Sequence, residues 1–254
     1  MSNKNRYKKV SQIIMNKKPI SIKWFPPSWL LIKAEDKIIY IDPAWIQKNF
    51  NSYPKKIIFS HYPERMDGLP EPDLPKADFI LITHHHQDHV KTATIKRLAT
   101  GKTKIYAPTK CAELIGQHFN EIKVDDKIIE NGIKIKAVFA YNTPEGKSTR
   151  KVHHKGEGVG YLLTVNGKTI YHAGDTDFIP EMRGLGDVDV ALLPIGGTFT
   201  MDIEEAIEAV VAIKPKIVIP MHYLKANPQE FKKKLEAKSN IKVIDLQMGE
   251  VYEL

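Results

Sequence analysis

With one cysteine in 254 residues, the sequence has no internal disulfide and no thiolate-built zinc site, so any metal must be held by imidazole and carboxylate. Long apolar runs are missing too. No stretch approaches the roughly 18 residues that cross a bilayer, and the N-terminus lacks the apolar centre of a signal peptide, so a soluble, cytoplasmic protein is expected. Residues 1–18 lack acids and carry Lys4, Arg6, Lys8, Lys9, Lys17 and Lys18, six of the eight surplus positive charges. The body is therefore close to neutral. The leader reads as a basic, solvated N-terminal extension, in preference to a contact with nucleic acid or an anionic membrane. No low-complexity linker divides the remainder, and 42% hydrophobic residues can bury one core, so residues 19–254 are expected to form one domain.

Ser21 to Phe25, Trp29 to Lys33 and Lys37 to Ile41 read as an antiparallel meander broken by Pro26-Pro27 and Glu35-Asp36. A long Pro-rich passage from Ser52 to Pro75 follows, in which His61, Tyr62 and Arg65 are candidate lid or substrate contacts. The spacing predicts helices over 90–98, 110–118, 202–213 and 228–237. Ile133 to Ala140 alternates as a strand, and Val159 to Val165 and Thr169 to His172 flank Asn166-Gly167 as a hairpin. Further strands are predicted at Val188 to Leu193, Lys216 to Ile219 and Ile241 to Ile244. The two strand-rich halves imply two sheets face to face with helices outside, an α+β arrangement.

Ligand-type side chains recur at strand ends. The apolar run Phe79-Ile80-Leu81-Ile82 leads into Thr83-His84-His85-His86-Gln87-Asp88-His89, and His153, Asp175 and His222 follow later polar breaks. A lone histidine is usually a satisfied structural residue, but this run is internal, interrupted by Gln87-Asp88 and preceded by a strand, unlike an appended tag. Five His and two Asp supply about three ligands to each of two metals when one Asp is shared, in a donor set suited to Zn2+, with Mn2+ or Fe2+ also accepted. Two divalent ions roughly 3.5–4 Å apart activate water and polarise the oxygen under attack, which makes hydrolysis the natural reaction.

Thr83 to His89 resembles the T-H-x-H-x-D-H signature of the metallo-β-lactamase superfamily. The intervals of 64 positions from His89 to His153, 22 to Asp175 and 47 to His222 are similar to that family's. The resemblance, from about Ile20 to the C-terminus, implies an αββα sandwich of two mixed β-sheets with a binuclear site along one edge. It implies that His84, His86 and His153 bind one metal, that Asp88, His89 and His222 bind the other, and that Asp175 bridges them. Asp88 is also expected to accept the proton of the attacking water. His85 falls at the variable position. His153 is preferred over His154, because His153-His154-Lys155-Gly156-Glu157-Gly158-Val159-Gly160-Tyr161 resembles the H-P-K-G-x-G-x-G-Y segment of hydrolases related to ascorbate-6-phosphate lactonase. Tyr171 to Asp177, Leu193 to Gly197 and Thr200 to Asp202 are similar to segments of the same subgroup.

The chain departs from that subgroup at Trp24-Phe25-Pro26-Pro27-Ser28-Trp29, where a Gly-His pair is usual, so a different substrate is expected. The implied activity is hydrolysis of a small phosphorylated, lactone or ester substrate. Alternatives are phosphodiester cleavage in nucleic acid or lipid headgroups, and a non-catalytic metal-binding role; a homo-oligomer is left open. An oxygen-reducing di-iron role fits less well, since that branch carries Glu at the place of His86. His172 is expected to support the site without touching the reaction. Asp42 reads equally as a turn cap or as a hydrogen-bond partner of a metal-binding histidine. Gly196-Gly197 is expected to make a tight turn, His118 to be structural and Cys111 to be inert.

Overall fold

The computed structural model describes residues 19–44, 71 and 73–254. The basic extension 1–18 and the loop residues His61, Tyr62 and Arg65 lie outside the described residues. Strands β1 (Ser21–Phe25), β2 (Trp29–Ala34) and β3 (Lys37–Ile41) form the expected antiparallel meander, with Trp24 opposite Leu30 and Leu31 opposite Tyr40. Strands β4 (Phe79–Leu81), β5 (Lys104–Ala107) and β6 (Asn120–Glu121) extend it in parallel from β3. The second sheet begins with antiparallel β7 (Lys127–Glu130), β8 (Ile133–Ala140), β9 (Gly158–Val165) and β10 (Lys168–His172). It continues in parallel through β11 (Val190–Pro194), β12 (Ile217–Met221) and β13 (Lys242–Val243). The last strand, β14 (Val251–Glu253), returns to pair with β1, so each sheet is mixed and, among the described residues, seven-stranded.

Period-two alternation divides the side chains of the first sheet between two cores. Ile22, Trp24, Leu30, Ile32, Ile39 and Ile41 join Ile135, Tyr161, Leu163 and Ile170 of the second sheet. Phe25, Leu31, Tyr40 and Ile80 turn the other way, against Ile95 and Leu98 of α1 (Thr92–Leu98) and Ile115 of α2 (Ala112–Ile115). Strands covered on both faces have no polar face to show, which is why Trp29-Leu30-Leu31-Ile32 is continuously apolar. Helix α3 (Ile203–Ile213) buries Ala206, Ile207, Ala209, Val210 and Ile213 on one stripe, and Asp202 caps it by accepting the Glu205 N–H at 2.8 Å. Helix α4 (Pro228–Glu236) adds Phe231 and Leu235 to the same apolar cluster. The αββα sandwich is thereby complete, and no helix among the described residues is long and apolar enough to cross a membrane.

Two predicted helices are shorter than their patterns. The one expected over 110–118 is a 3-10 turn, Thr109–Cys111, followed by α2, which stops where Gly116 turns left-handed at φ 65°. His118 is left exposed beyond it. The helix expected from Val90 starts at Thr92, because Lys91 is extended at its N-cap and Val90 is buried in the preceding turn.

The Tyr161 hydroxyl donates to the Ile82 carbonyl at 2.7 Å, tying the second sheet to the segment that leads into the histidine run. Tyr161→Phe leaves that buried acceptor unpaired and is expected to cost about 1–2 kcal/mol, read by urea denaturation. An unchanged midpoint would show that the bond contributes nothing.

Candidate metal centre

Four strand exits converge on one edge of the sandwich. β3 runs out into Asp42, β4 into Thr83 to His89, β10 into Gly174-Asp175 and β12 into His222. Asp42 and His222 have left-handed backbones, at φ 48° and 50°, a conformation that costs energy in non-glycine residues and recurs at functional sites.

Hydrogen bonds aim the rings. The buried Asp42 carboxylate accepts the Thr83 N–H at 2.7 Å and the Thr83 hydroxyl at 2.6 Å, and its Oδ2 also accepts from His89 Nδ1 at 2.7 Å. Thr83 Oγ1 accepts in turn from His84 Nδ1 at 2.9 Å. His153 Nδ1 faces two acceptors, Asn142 Oδ1 and the Phe199 carbonyl, each at 3.1 Å. The Nε2 atoms of His84, His89 and His153 are left pointing inward. His86 Nδ1 lies 3.0 Å from His84 Nε2 and 3.1 Å from His153 Nε2. Since the neutral rings of His84 and His153 carry their only proton on the opposite nitrogen, these three atoms cannot all pair with one another, and they stand as ligands do around a cation.

A second group adjoins the first. His222 Nε2 lies 3.5 Å from Asp88 Oδ2 and 3.3 Å from Asp175 Oδ2. Asp175 also approaches His89 Nε2 and His153 Nε2, each at 3.4 Å, so its carboxylate faces both groups. Asp88 Oδ1, His89 Nε2, Asp175 Oδ1 and His222 Nε2 are buried without a hydrogen-bond partner among the described residues. Orphaned buried polar atoms are rare in folded proteins, and four in one place, all nitrogen or carboxylate oxygen, fit a divalent metal. All seven residues singled out in the sequence fall in three overlapping groups: His84, His86 and His153; His84, His89 and Asp175; Asp88, His89 and His222.

Other histidines stand apart. His154 is exposed, while His85 lines a shallow cleft over the site with Ala140, Val152 and Glu157. His172 Nε2 faces the Ser28 carbonyl at 2.9 Å and its Nδ1 accepts the Gly174 N–H at 3.2 Å, so it fixes the turn before Asp175. The Pro27 carbonyl accepts the His222 N–H at 2.8 Å, which places the segment that lacks the usual Gly-His pair against a candidate ligand. Gly196 is needed for closeness: a Cβ there would lie 2.6 Å from the His222 carbonyl oxygen. Cys111 is buried, and burial pushes its thiol pKa up, away from reactivity. The sequence reading missed Asn142, which follows the exit of β8 and meets His153, and Asp177, which holds Asn142 at 3.2 Å. Asn142 shows in the sequence only as a polar residue soon after the apolar strand β8, and Asp177 only as the end of the Tyr171 to Asp177 segment, which does not say what it touches.

Charge within the cluster is arranged in opposition. Burial, then neighbouring imidazoles, lowers the pKa of His84 far below its usual range and that of His86 to about 4, and burial lowers His153. Burial also opposes the charged forms of His89 and His222, yet it is outweighed by Asp175 and Asp88, with Asp42 adding to the effect on His89. Both pKa values are raised. The two imidazoles in return hold Asp88 and Asp175 below the carboxylate range against burial. In the metal-free protein these shifts favour the protonated forms of His89 and His222, and a metal must displace those protons. Metal loading is expected to release protons, and affinity to rise with pH until those rings are already neutral. Loading in weak buffer with a pH indicator reads this directly; pH-independent affinity between 6 and 8 would contradict it.

Comparison with known proteins agrees with this geometry. Residues 21–222 match a family described as a Beta-lactamase superfamily domain. A UPF0173 metal-dependent hydrolase of Nanoarchaeum equitans is 39% identical over 192 residues, covering 71% of this chain and 87% of that protein. One from Staphylothermus marinus is 36% identical over 236 residues, covering 87% and 91%. The solved structure of the metallo hydrolase Igni18 of Ignicoccus hospitalis superposes with a TM-score of 0.70 at 27% identity, over 93% of this chain and 99% of its own. With the signature residues clustered on the edge of an αββα sandwich, the chain belongs to the beta-lactamase superfamily, in the family of UPF0173 metal-dependent hydrolases.

Proposed function

We propose that the protein hydrolyses a small phosphorylated, lactone or ester substrate with two divalent metal ions, Zn2+ in preference to Mn2+ or Fe2+. His84, His86 and His153 would hold one ion, Asp88, His89 and His222 the other, with Asp175 shared. Residues 19–254 are the catalytic domain in this reading, and residues 1–18 an extension outside it. The observation that carries it is the set of buried, unpartnered atoms Asp88 Oδ1, His89 Nε2, Asp175 Oδ1 and His222 Nε2 beside three converging imidazole nitrogens. Divalent ions bound there would supply activated water at neutral pH and would polarise the oxygen under attack. The chain's own residues do the rest. Asp88, kept ionised beside His89 and His222, accepts the proton of the attacking water, while Asp42 and Asn142 hold His89 and His153 in place. The substrate class rests on the resemblance of the segments around His153 and Asp175 to lactonase-related hydrolases.

The test is elemental analysis of the purified protein, followed by a panel of lactones, phosphate monoesters, carboxylic esters and phosphodiesters. Two metals per chain with turnover of a lactone, phosphorylated compound or ester supports the reading. Turnover confined to phosphodiesters, or two metals with no turnover at all, overturns it.

A further inference from the structure

Asp177 lies outside the candidate ligand groups, is fully buried and gathers three donors: Asn142 Nδ2 at 3.2 Å, the Thr143 N–H at 2.9 Å and Lys151 Nζ at 3.1 Å. The loop between β8 and β9 folds onto this carboxylate so closely that a Cβ at Gly146 would overlap it. Asn142 stands between Asp177 and the metal centre. Its Nδ2 points at acceptors, Asp177 Oδ1, the Phe199 carbonyl at 2.9 Å and Ser148 Oγ at 3.2 Å. Its Oδ1 accepts the backbone N–H groups of Val152 at 3.0 Å and His153 at 2.9 Å, and faces His153 Nδ1 at 3.1 Å. An amide turned the other way would set its NH2 against two backbone donors and its oxygen against a carboxylate.

We infer that Asp177 is a positioning residue for the metal centre: by fixing which way the Asn142 amide points, it fixes the backbone, ring orientation and tautomer of His153. The relay runs from Asp177 through Asn142 to His153 and stops there. Asp88, His89 and His222 are oriented independently, the last two by Asp42 and by the Pro27 carbonyl. The effect of Asp177 is accordingly confined to the His84, His86 and His153 group. This rests on the two-metal reading proposed above.

The experiment is a Zn2+ titration of metal-free wild type, Asp177→Asn and Asn142→Ala by calorimetry. Each is paired with a thermal melt and with 15N spectra of the histidine rings. Asn at 177 keeps the shape but has one acceptor oxygen, which the two donors Thr143 N–H and Lys151 hold, so that its NH2 faces Asn142 Nδ2 and no longer fixes that amide. The expected result is a melting temperature near that of wild type, an unchanged affinity for one metal and about 10–100-fold weaker binding of the other, the range usual for loss of a group that orients a ligand. Asn142→Ala gives the same loss, and the double variant adds little to it. Unchanged binding in Asp177→Asn overturns the inference, and so does equal weakening of both steps with a fallen melting temperature, which is a general packing role. A wild-type titration with one step refutes the two-metal reading instead. The metal-free spectra then decide: a wild-type Nδ1–H signal for His153 in Asp177→Asn overturns the relay, and a tautomer mixture supports it.

Discussion

Asp88→Ala is expected to lower hydrolysis by at least about 10²–10⁴-fold, the usual cost of removing a group that takes a proton in the transition state. In the proposed two-metal reading the same change also removes one of the three groups that would hold the second ion, so a loss of metal would add to the loss of the base. The fold is expected to survive. Asp88 Oδ1 has no hydrogen-bond partner among the described residues, and Oδ2 approaches His222 Nε2 only to 3.5 Å, so the carboxylate makes no short bond to that ring that the scaffold depends on. Its removal also takes a charge out of the interior, and His89 and His222 lose part of what raises their pKa values, leaving them more readily neutral. Two measurements separate these effects. The melting temperature of the metal-free variant should stay near that of metal-free wild type, while the rise on adding Zn2+ should shrink, since ligand binding stabilises only as far as the native state binds it. Full activity in Asp88→Ala sinks the proposed mechanism.

The reason Asp88 stood out at the start is that ligand chemistry is written locally. A run such as His84 to His89 brings incompatible charges and lone pairs together after an apolar strand, and only a cation or a set of partners from elsewhere resolves that. The sandwich was legible for a related reason: β8 shows period-two alternation, and β9 and β10 flank an Asn166-Gly167 turn, both signals set by near neighbours. What was hidden depends on distance in the chain. β14 is three residues with an exposed Val251 and becomes a strand only because β1 offers its edge, with Tyr252 opposite Ile22, 230 positions away, so nothing local announces it. Gly116 stops α2 through one backbone angle inside an otherwise helical pattern. Asn142 and Asp177 look like ordinary loop residues until the fold sets one against His153 and the other against Asn142. Asp42 lay between these cases: its place at a strand end and a metal-binding histidine as a partner were readable, but not that the partner is His89, 47 positions away.

Asp42 carries the other large effect, because one carboxylate serves both folding and ligand orientation. Asp42→Ala leaves the Thr83 N–H, the Thr83 hydroxyl and a protonated His89 in the interior without their acceptor. Breaking one side of such a buried pair costs about 3–5 kcal/mol, a large part of a domain's stability, and is read by urea denaturation of the metal-free protein. Asp42→Asn separates the two roles. Its oxygen still accepts the Thr83 N–H, but the amide NH2 now faces His89 Nδ1, which must turn from donor to acceptor. The proton of a neutral His89 then moves to Nε2, the atom that points into the metal centre. Asp42→Asn is therefore expected to unfold less readily than Asp42→Ala and still to bind metal about 10–100-fold more weakly at the His89 group. Wild-type metal affinity in Asp42→Asn would show that His89 is held by its surroundings alone. A loss at that group would place Asp42 among the residues that make this edge of the sandwich a metal site, beyond capping the turn after β3.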